Sequence, residues 1–240
     1  MKTPLLLLLA VLLHLAALPL AAQDGVQKWR VHAELKVITL PEKAAIALLP
    51  ELRDEEKIEG AWKRLEAMLA DGGATLVATP GVVVDRDQKA EMSQGEEIRY
   101  GTEFSQPTVI EPAPKPGDTA PLNKDKALGT AYGPTAFETR HVGITLNVEA
   151  GVSGDGQTLD VTVKAEHTWH LGWDEFESGQ TLRGEKIKLK QPKFASAKAD
   201  SILTVRSGER TLLSIHRVPG EPGRMELFLL RAWTVARPGK

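Results

Sequence analysis

Ser214 and His216 stand two residues apart, and His167 and His170 three apart, in a chain of 240 residues that has no cysteine. Ser214-Ile215-His216 read as a strand would put a hydroxyl and an imidazole on one face, as a nucleophile and its base require. No acid in the sequence is assigned to orient that imidazole, so the pair stays incomplete. His167 and His170 would share the face of a helix and could then ligate a metal. Their segment reads as a strand, where positions three apart point to opposite faces. A further ligand from His32, His141 or His216 is not set by spacing, so no metal site is assigned. Trp169 and Trp173, with His170, Asp174 and Glu175 nearby, could line a ledge for a carbohydrate or peptide, although ordinary sheet packing accounts for them equally. The missing thiols exclude a disulfide, a thiolate nucleophile, a cysteine zinc site and a lipid carried on cysteine. There is no Gly-x-Ser-x-Gly elbow, phosphate-binding glycine loop or His-Glu-x-x-His. Carboxylates are abundant, and spacing selects no catalytic pair among them. No enzyme activity and no cofactor is therefore expected.

The elements that would position these residues follow from periodicity. Trp29, Val31, Ala33, Leu35 and Val37 alternate with Arg30, His32, Glu34 and Lys36, which predicts a half-buried strand. Pro41 suits a first helical turn, and a short helix is predicted over Glu42–Leu49, stopped by Pro50. A second helix is predicted after Asp54 as N-cap. Its apolar stripe is Ile58, Trp62, Leu65 and Leu69, and Gly72 stands at the C′ position. From Leu76 to Tyr100 the chain reads as a strand, an Asp85-Arg86-Asp87 turn, a strand, a Gly95-Glu96-Glu97 break and a third strand. Gln106–Pro134 is rich in proline and lacks apolar periodicity, as an extended loop does. Beyond it, Val142, Ile144, Leu146, Val148 and Ala150 alternate, a Gly151–Gly156 turn follows, and Leu159, Val161, Val163 and Ala165 alternate back. Phe194–Val205, Thr211–His216 and Met225–Val235 extend the strands, with turns at Ser207-Gly208-Glu209 and Pro219–Gly223.

The ends and the charge set the context. Lys2, the leucine-rich Leu5–Leu18 and Leu20-Ala21-Ala22 have the layout of a secretory signal cleaved before Gln23. The predicted organisation is a signal peptide over 1–22, a part with one strand, two helices and three strands over 23–104, a proline-rich loop over 105–135 and a β-rich part over 136–240. Thirty basic residues against 32 acidic ones give a formal charge of −2, without the basic surplus of a nucleic-acid binder. Aromatics are 5% of the chain, with two tyrosines, fewer than the paired girdles of a membrane barrel call for.

Several motifs, taken in order, resemble the core domain of the secretins, the outer-membrane channel family of type II and type III secretion and of type IV pili. Val31–Ile38 is similar to the family's opening strand, and Leu65–Gly73 to the helix before its proline-glycine signature. That signature is carried here by Leu76, Pro80, Val82, Ala90, Gly95 and Tyr100. Phe137–Val148, containing Gly143, resembles a further family strand. Asp155-Gly156 with Leu159–Val161 resembles its return, and Thr204–Leu213, containing Gly208, the next. The proline-rich 106–134 stands where the family places its central gate hairpins, and no room is left for the periplasmic ring domains that precede its core.

The resemblance implies an α+β fold with two N-terminal helices packed on a long antiparallel β-meander. It also implies a non-enzymatic, exported protein of the periplasm or outer membrane that forms homo-oligomers, with secretion or pilus machinery as partners. Pro80, Ala90, Gly95, Gly143, Gly156 and Gly208 would be its structural motif residues. The alternative reading from the residues is a monomeric periplasmic binding module using the Trp169–Trp173 surface. A hydrolase is a third.

Overall fold

β1 (Trp29–Pro41) is buried on both sides along its second half, and this places it in the middle of three layers. The computed structural model describes residues 29–85, 87–105, 109–110, 128–129, 133–180 and 186–236. The expected signal segment, Met1–Ala22, and most of the proline-rich loop lie outside these. Val31, Ala33, Leu35 and Val37, the face read from the alternation, are buried against a second sheet. Ile38 and Leu40 point the other way, into a separate cluster formed with the helices.

The first sheet has the order β10-β11-β1-β2, with β3 also paired to β1. It comprises β2 (Thr75–Ala78), β3 (Gly81–Asp85), β10 (Arg210–Arg217) and β11 (Arg224–Ala236) around β1. β11 repeats the double burial of β1: Phe228, Leu230 and Ala232 face the second sheet, while Leu227 and Leu229 face the helices. The second sheet runs β4-β7-β8-β9, from β4 (Lys89–Phe104), β7 (Pro134–Val152), β8 (Thr158–Gln180) and β9 (Lys186–Arg206). Ile144 to Ala150 and Leu159 to Ala165 bury their alternate side chains against the first sheet as the sequence predicts. A fully buried aliphatic side chain contributes about 1.5–3 kcal/mol relative to an exposed one, so these rows supply the main inter-sheet attraction.

The helices are α1 (Glu42–Leu52) and α2 (Ile58–Ala70). The α+β class, with two N-terminal helices on antiparallel strands, is therefore the observed one, and the strands are shared between two stacked sheets. α1 does not stop at Pro50 but runs on to Leu52. A proline in the last turn removes a single backbone bond, and burial of Leu52 offsets that loss. Asp54 does not cap α2. Lys57 holds the cap position, and Asp54 organises the preceding turn, accepting from Glu56 N–H at 3.0 Å and Lys57 Nζ at 2.6 Å. The stripe of α2 is buried at Ile58, Trp62 and Leu65, and Gly72 follows the helix with φ +80°.

Two further expectations are corrected around β3 and β4. The segment before the Asp85 turn is split at Thr79-Pro80 into β2 and β3, which pair with different parts of β1. The buried Pro80 lies at this joint, and its carbonyl accepts Leu35 N–H at 2.9 Å. No break occurs at Gly95-Glu96-Glu97, because β4 passes through it as one strand of 16 residues. Inside the proline-rich stretch, which lies in sequence between β4 and β7, β5 (Val109–Ile110) pairs with β6 (Leu128–Gly129). Among the described residues no helix is long and apolar enough to cross a membrane, which says nothing of strands.

Candidate functional site

Gly95 and Gly143 are register partners, and there the second sheet divides. Up to Gly143–Thr168, β7 is bonded to β8. Past that point β4 and β7 continue as one hairpin, while β8 and β9 continue as another from Trp169 to Gln180. A Cβ on Gly95 would stand 2.0 Å from Val142 O, and one on Gly143 would stand 2.2 Å from Gln94 O. Both glycines have positive φ, +157° and +133°. No other residue permits this crossing of backbones. Beyond it the hairpins lean on each other: Gln191 Nε2 donates to Gly101 O at 2.9 Å, and the Phe194 ring lies 5.8 Å from Tyr100 and 5.6 Å from the Arg140 guanidinium. Arg140 also donates to Ser196 Oγ at 3.3 Å. Tyr100 O–H donates to Glu138 at 3.0 Å, and that bond pushes the phenol above its usual range.

The outer strands, β4 and β9, leave both edges of this sheet open. Their charges are opposite. β4 carries Glu91, Glu96, Glu97 and Glu103 against Lys89 and Arg99, whereas β9 carries five lysines and Arg206 against Asp200. The β9 lysines reach their own hairpin partner: Lys188 and Lys190 pair with Glu175, Lys186 with Glu177, Lys193 with Asp174 and Lys198 with Glu166. The bonds from Lys190 and Lys188 hold Glu175 below the usual carboxylate range. Burial works to raise Glu166, yet its bonds to Lys198, Ser196 and Thr168 win and lower it. All these ammonium groups are more than half exposed, so each pair is worth about 0–1 kcal/mol and yields easily to another carboxylate.

The remaining motif residues hold joints. Ala90 packs against the inter-sheet core. Gly156, at φ +73°, lies under the Trp29 ring, 2.6 Å from where a Cβ would sit, and its carbonyl accepts Thr234 O–H at 2.8 Å. Gly208, at φ +89°, turns the chain from one sheet to the other and donates to Ala232 O at 2.7 Å.

The candidate chemical residues separate. Trp169 packs inward, with its ring 4.0 Å from His167, whereas Trp173 is 46% exposed and meets His170 edge-on at 5.3 Å. The two indoles therefore form no common ledge. His167 is buried and His170 turns toward Phe194, so the pair does point to opposite faces. Among the described residues no group of three His, Asp or Glu could hold a metal ion. His216 Nε2 lies 2.7 Å from Ser214 Oγ, and the acid missing from the sequence stands opposite it in register: Glu226. That carboxylate is bound elsewhere, both its oxygens lying 3.0 Å from His167 Nδ1 across the gap between the sheets. The arrangement is a buried His–carboxylate hydrogen bond beside a Ser–His contact, not a relay through one imidazole. In sequence Glu226 is a lone acid within the apolar Met225–Leu230, where spacing links it to no other polar residue. Its place in the inward alternation with Phe228 and Leu230 was the available signal.

No protein-family model matches the chain, and no curated protein matches it in sequence. Solved structures with similarity to it include the ETEC pilotin–secretin complex AspS–GspD, at 12% identity and a TM-score of 0.41, covering 99% of this chain and 54% of that one. Aeromonas hydrophila ExeD is similar at 13% identity and a TM-score of 0.38, over 88% of this chain and 47% of that one. The Salmonella SPI-1 type III secretion injectisome secretin InvG is similar at 11% and 0.36, over 89% and 64%. The chain spans about half the length of the first of these. The α+β architecture stands on the elements described above and not on these likenesses.

Proposed function

We propose that the chain is a non-enzymatic, secretin-like envelope protein that assembles from copies of itself by joining the two open edges of its second sheet. The observation that carries this reading is the opposite charge of β4 and β9. An edge strand with free N–H and C=O groups is a template for another strand, and unlike charges facing across a new ladder favour pairing by about 0.2–1 kcal/mol each. Glu91, Glu96, Glu97 and Glu103 make no ion pair with the described residues, so β4 brings unneutralised carboxylates to a lysine-rich partner. Joining β4 of one copy to β9 of the next is a head-to-tail contact, which closes into a ring where the rotation permits. The ordered secretin-like motifs in the sequence support the same reading. So does the leucine-rich N-terminal segment, which fits export to the periplasm or outer membrane. Secretion or pilus components would then be the partners, with 23–104 and 136–240 forming one assembling unit.

The test is charge reversal. Glu96→Lys with Glu97→Lys should lower the assembled fraction in light scattering, and Lys188→Glu with Lys190→Glu on the second strand should do the same. Mixing the two variants should restore assembly. Assembly that is indifferent to both reversals would remove the reading.

A further inference from the structure

Glu226 is wholly buried between the two sheets, and self-assembly makes no use of it. A carboxylate without exposure keeps its charge only beside a cation or strong donors. From β8, His167 brings Nδ1 to 3.0 Å of both its oxygens. From β10, His216 is its register partner. From β1 the partner is Thr39, whose hydroxyl already accepts from Arg224 Nη2 at 3.0 Å. On β11 itself Arg224 stands two residues before it in sequence and approaches Glu221 at 3.6 Å. Two imidazoles thus compete for one carboxylate, one across the gap and one within the same sheet.

We propose that Glu226 is a proton-operated clasp, held by His167 at neutral pH so that β8 is tied to β11, and drawn toward His216 when mild acid protonates it. The ring of His216 is half-buried on an edge strand, so solvent protons reach it while the core stays closed. Its Nε2 is engaged by Ser214, which leaves Nδ1 to meet the carboxylate. Burial pushes its pKa below the usual imidazole range, and the charge of Glu226 pulls the other way. One proton taken from solvent therefore sets an imidazolium on the in-sheet side of the carboxylate. The carboxylate then exchanges an inter-sheet contact for an in-sheet one, and the hairpin of β8 and β9 loses the buried His167–Glu226 hydrogen bond to the first sheet.

Trp169 is a built-in reporter, since its ring centroid is 4.0 Å from that of His167. The experiment follows tryptophan emission and the imidazole proton resonances of the whole protein from about pH 7.5 to about pH 5, where histidine titrates. A step in emission is expected that disappears in Trp169→Phe, in His216→Asn and in Glu226→Gln. The His167 and His216 resonances should shift with one common midpoint. A step that persists unchanged in His216→Asn, or a His167 resonance with its own separate midpoint, would overturn the clasp. Should His216→Asn fail to fold, the two resonances of the unaltered protein decide alone, a common midpoint supporting the clasp and separate ones overturning it. All these signals arise within one subunit, so they stand or fall independently of self-assembly.

Discussion

A carboxylate with zero exposure, as at Glu226, makes a falsifiable demand at the scale of single residues. Removing the partner of a buried hydrogen-bonded group costs about 1–3 kcal/mol, more if that group is charged, whereas replacing both by apolar groups of similar shape is often nearly neutral. His167→Leu is therefore expected to lower the urea midpoint strongly, and His167→Leu with Glu226→Leu to recover much of the loss. A single variant as mild as the double one would show that no buried group is stranded by the loss of its partner. His216 adds a sign to the pH dependence. Burial lowers its pKa in the folded state, so the unfolded chain binds more protons just below the ordinary imidazole range. Its contribution is intact above that range and falls as pH drops through it. Thermal melts between about pH 7 and about pH 5 should lose stability in the unaltered protein and flatten in His216→Phe. This chemistry was only half legible in the sequence. Ser214 and His216 were visible by spacing, but Glu226 is hidden in an apolar run and meets them only through register.

At the scale of elements, alternation was readable wherever a strand buries one face, as at Val31–Val37, Ile144–Ala150 and Leu159–Ala165. It does not reveal where the backbone departs from the ordinary. Gly95 resembles a strand break because glycine usually marks one, yet its conformation is fixed by Gly143, a residue far away in sequence that crosses it. Gly143→Val is expected to melt the second sheet beyond this point, seen as fast amide exchange in Ile98–Phe104, while the helices and β1 stay protected. Uniform protection across the variant would contradict the crossing as the joint of the two hairpins. The stretch between β5 and β6 should matter less. Its proline-rich composition supplies few apolar side chains, so deleting Glu111–Lys126 is expected to leave the melting temperature nearly unchanged, and a large drop would mean that it packs.

At the scale of the whole molecule, the second sheet ends in two outer strands, β4 and β9, that differ in charge. The layers themselves were predictable as helices on strands. The division into two sheets was not, because the turn at Ser207-Gly208-Glu209 looks like any hairpin in sequence, and only pairing reveals that β9 and β10 belong to different sheets. That division is what leaves β9 paired only on its β8 side among the described residues. Exposed Lys and Glu on edge strands normally discourage pairing, but a complementary set on a second copy turns the same residues into a key. Sedimentation velocity on the protein beginning at Gln23, over micromolar concentrations and at low and high salt, tests this most directly. The expected result is a closed oligomer that dissociates as salt screens the β4–β9 charges. A monomer at every concentration and salt, with or without detergent, would contradict it.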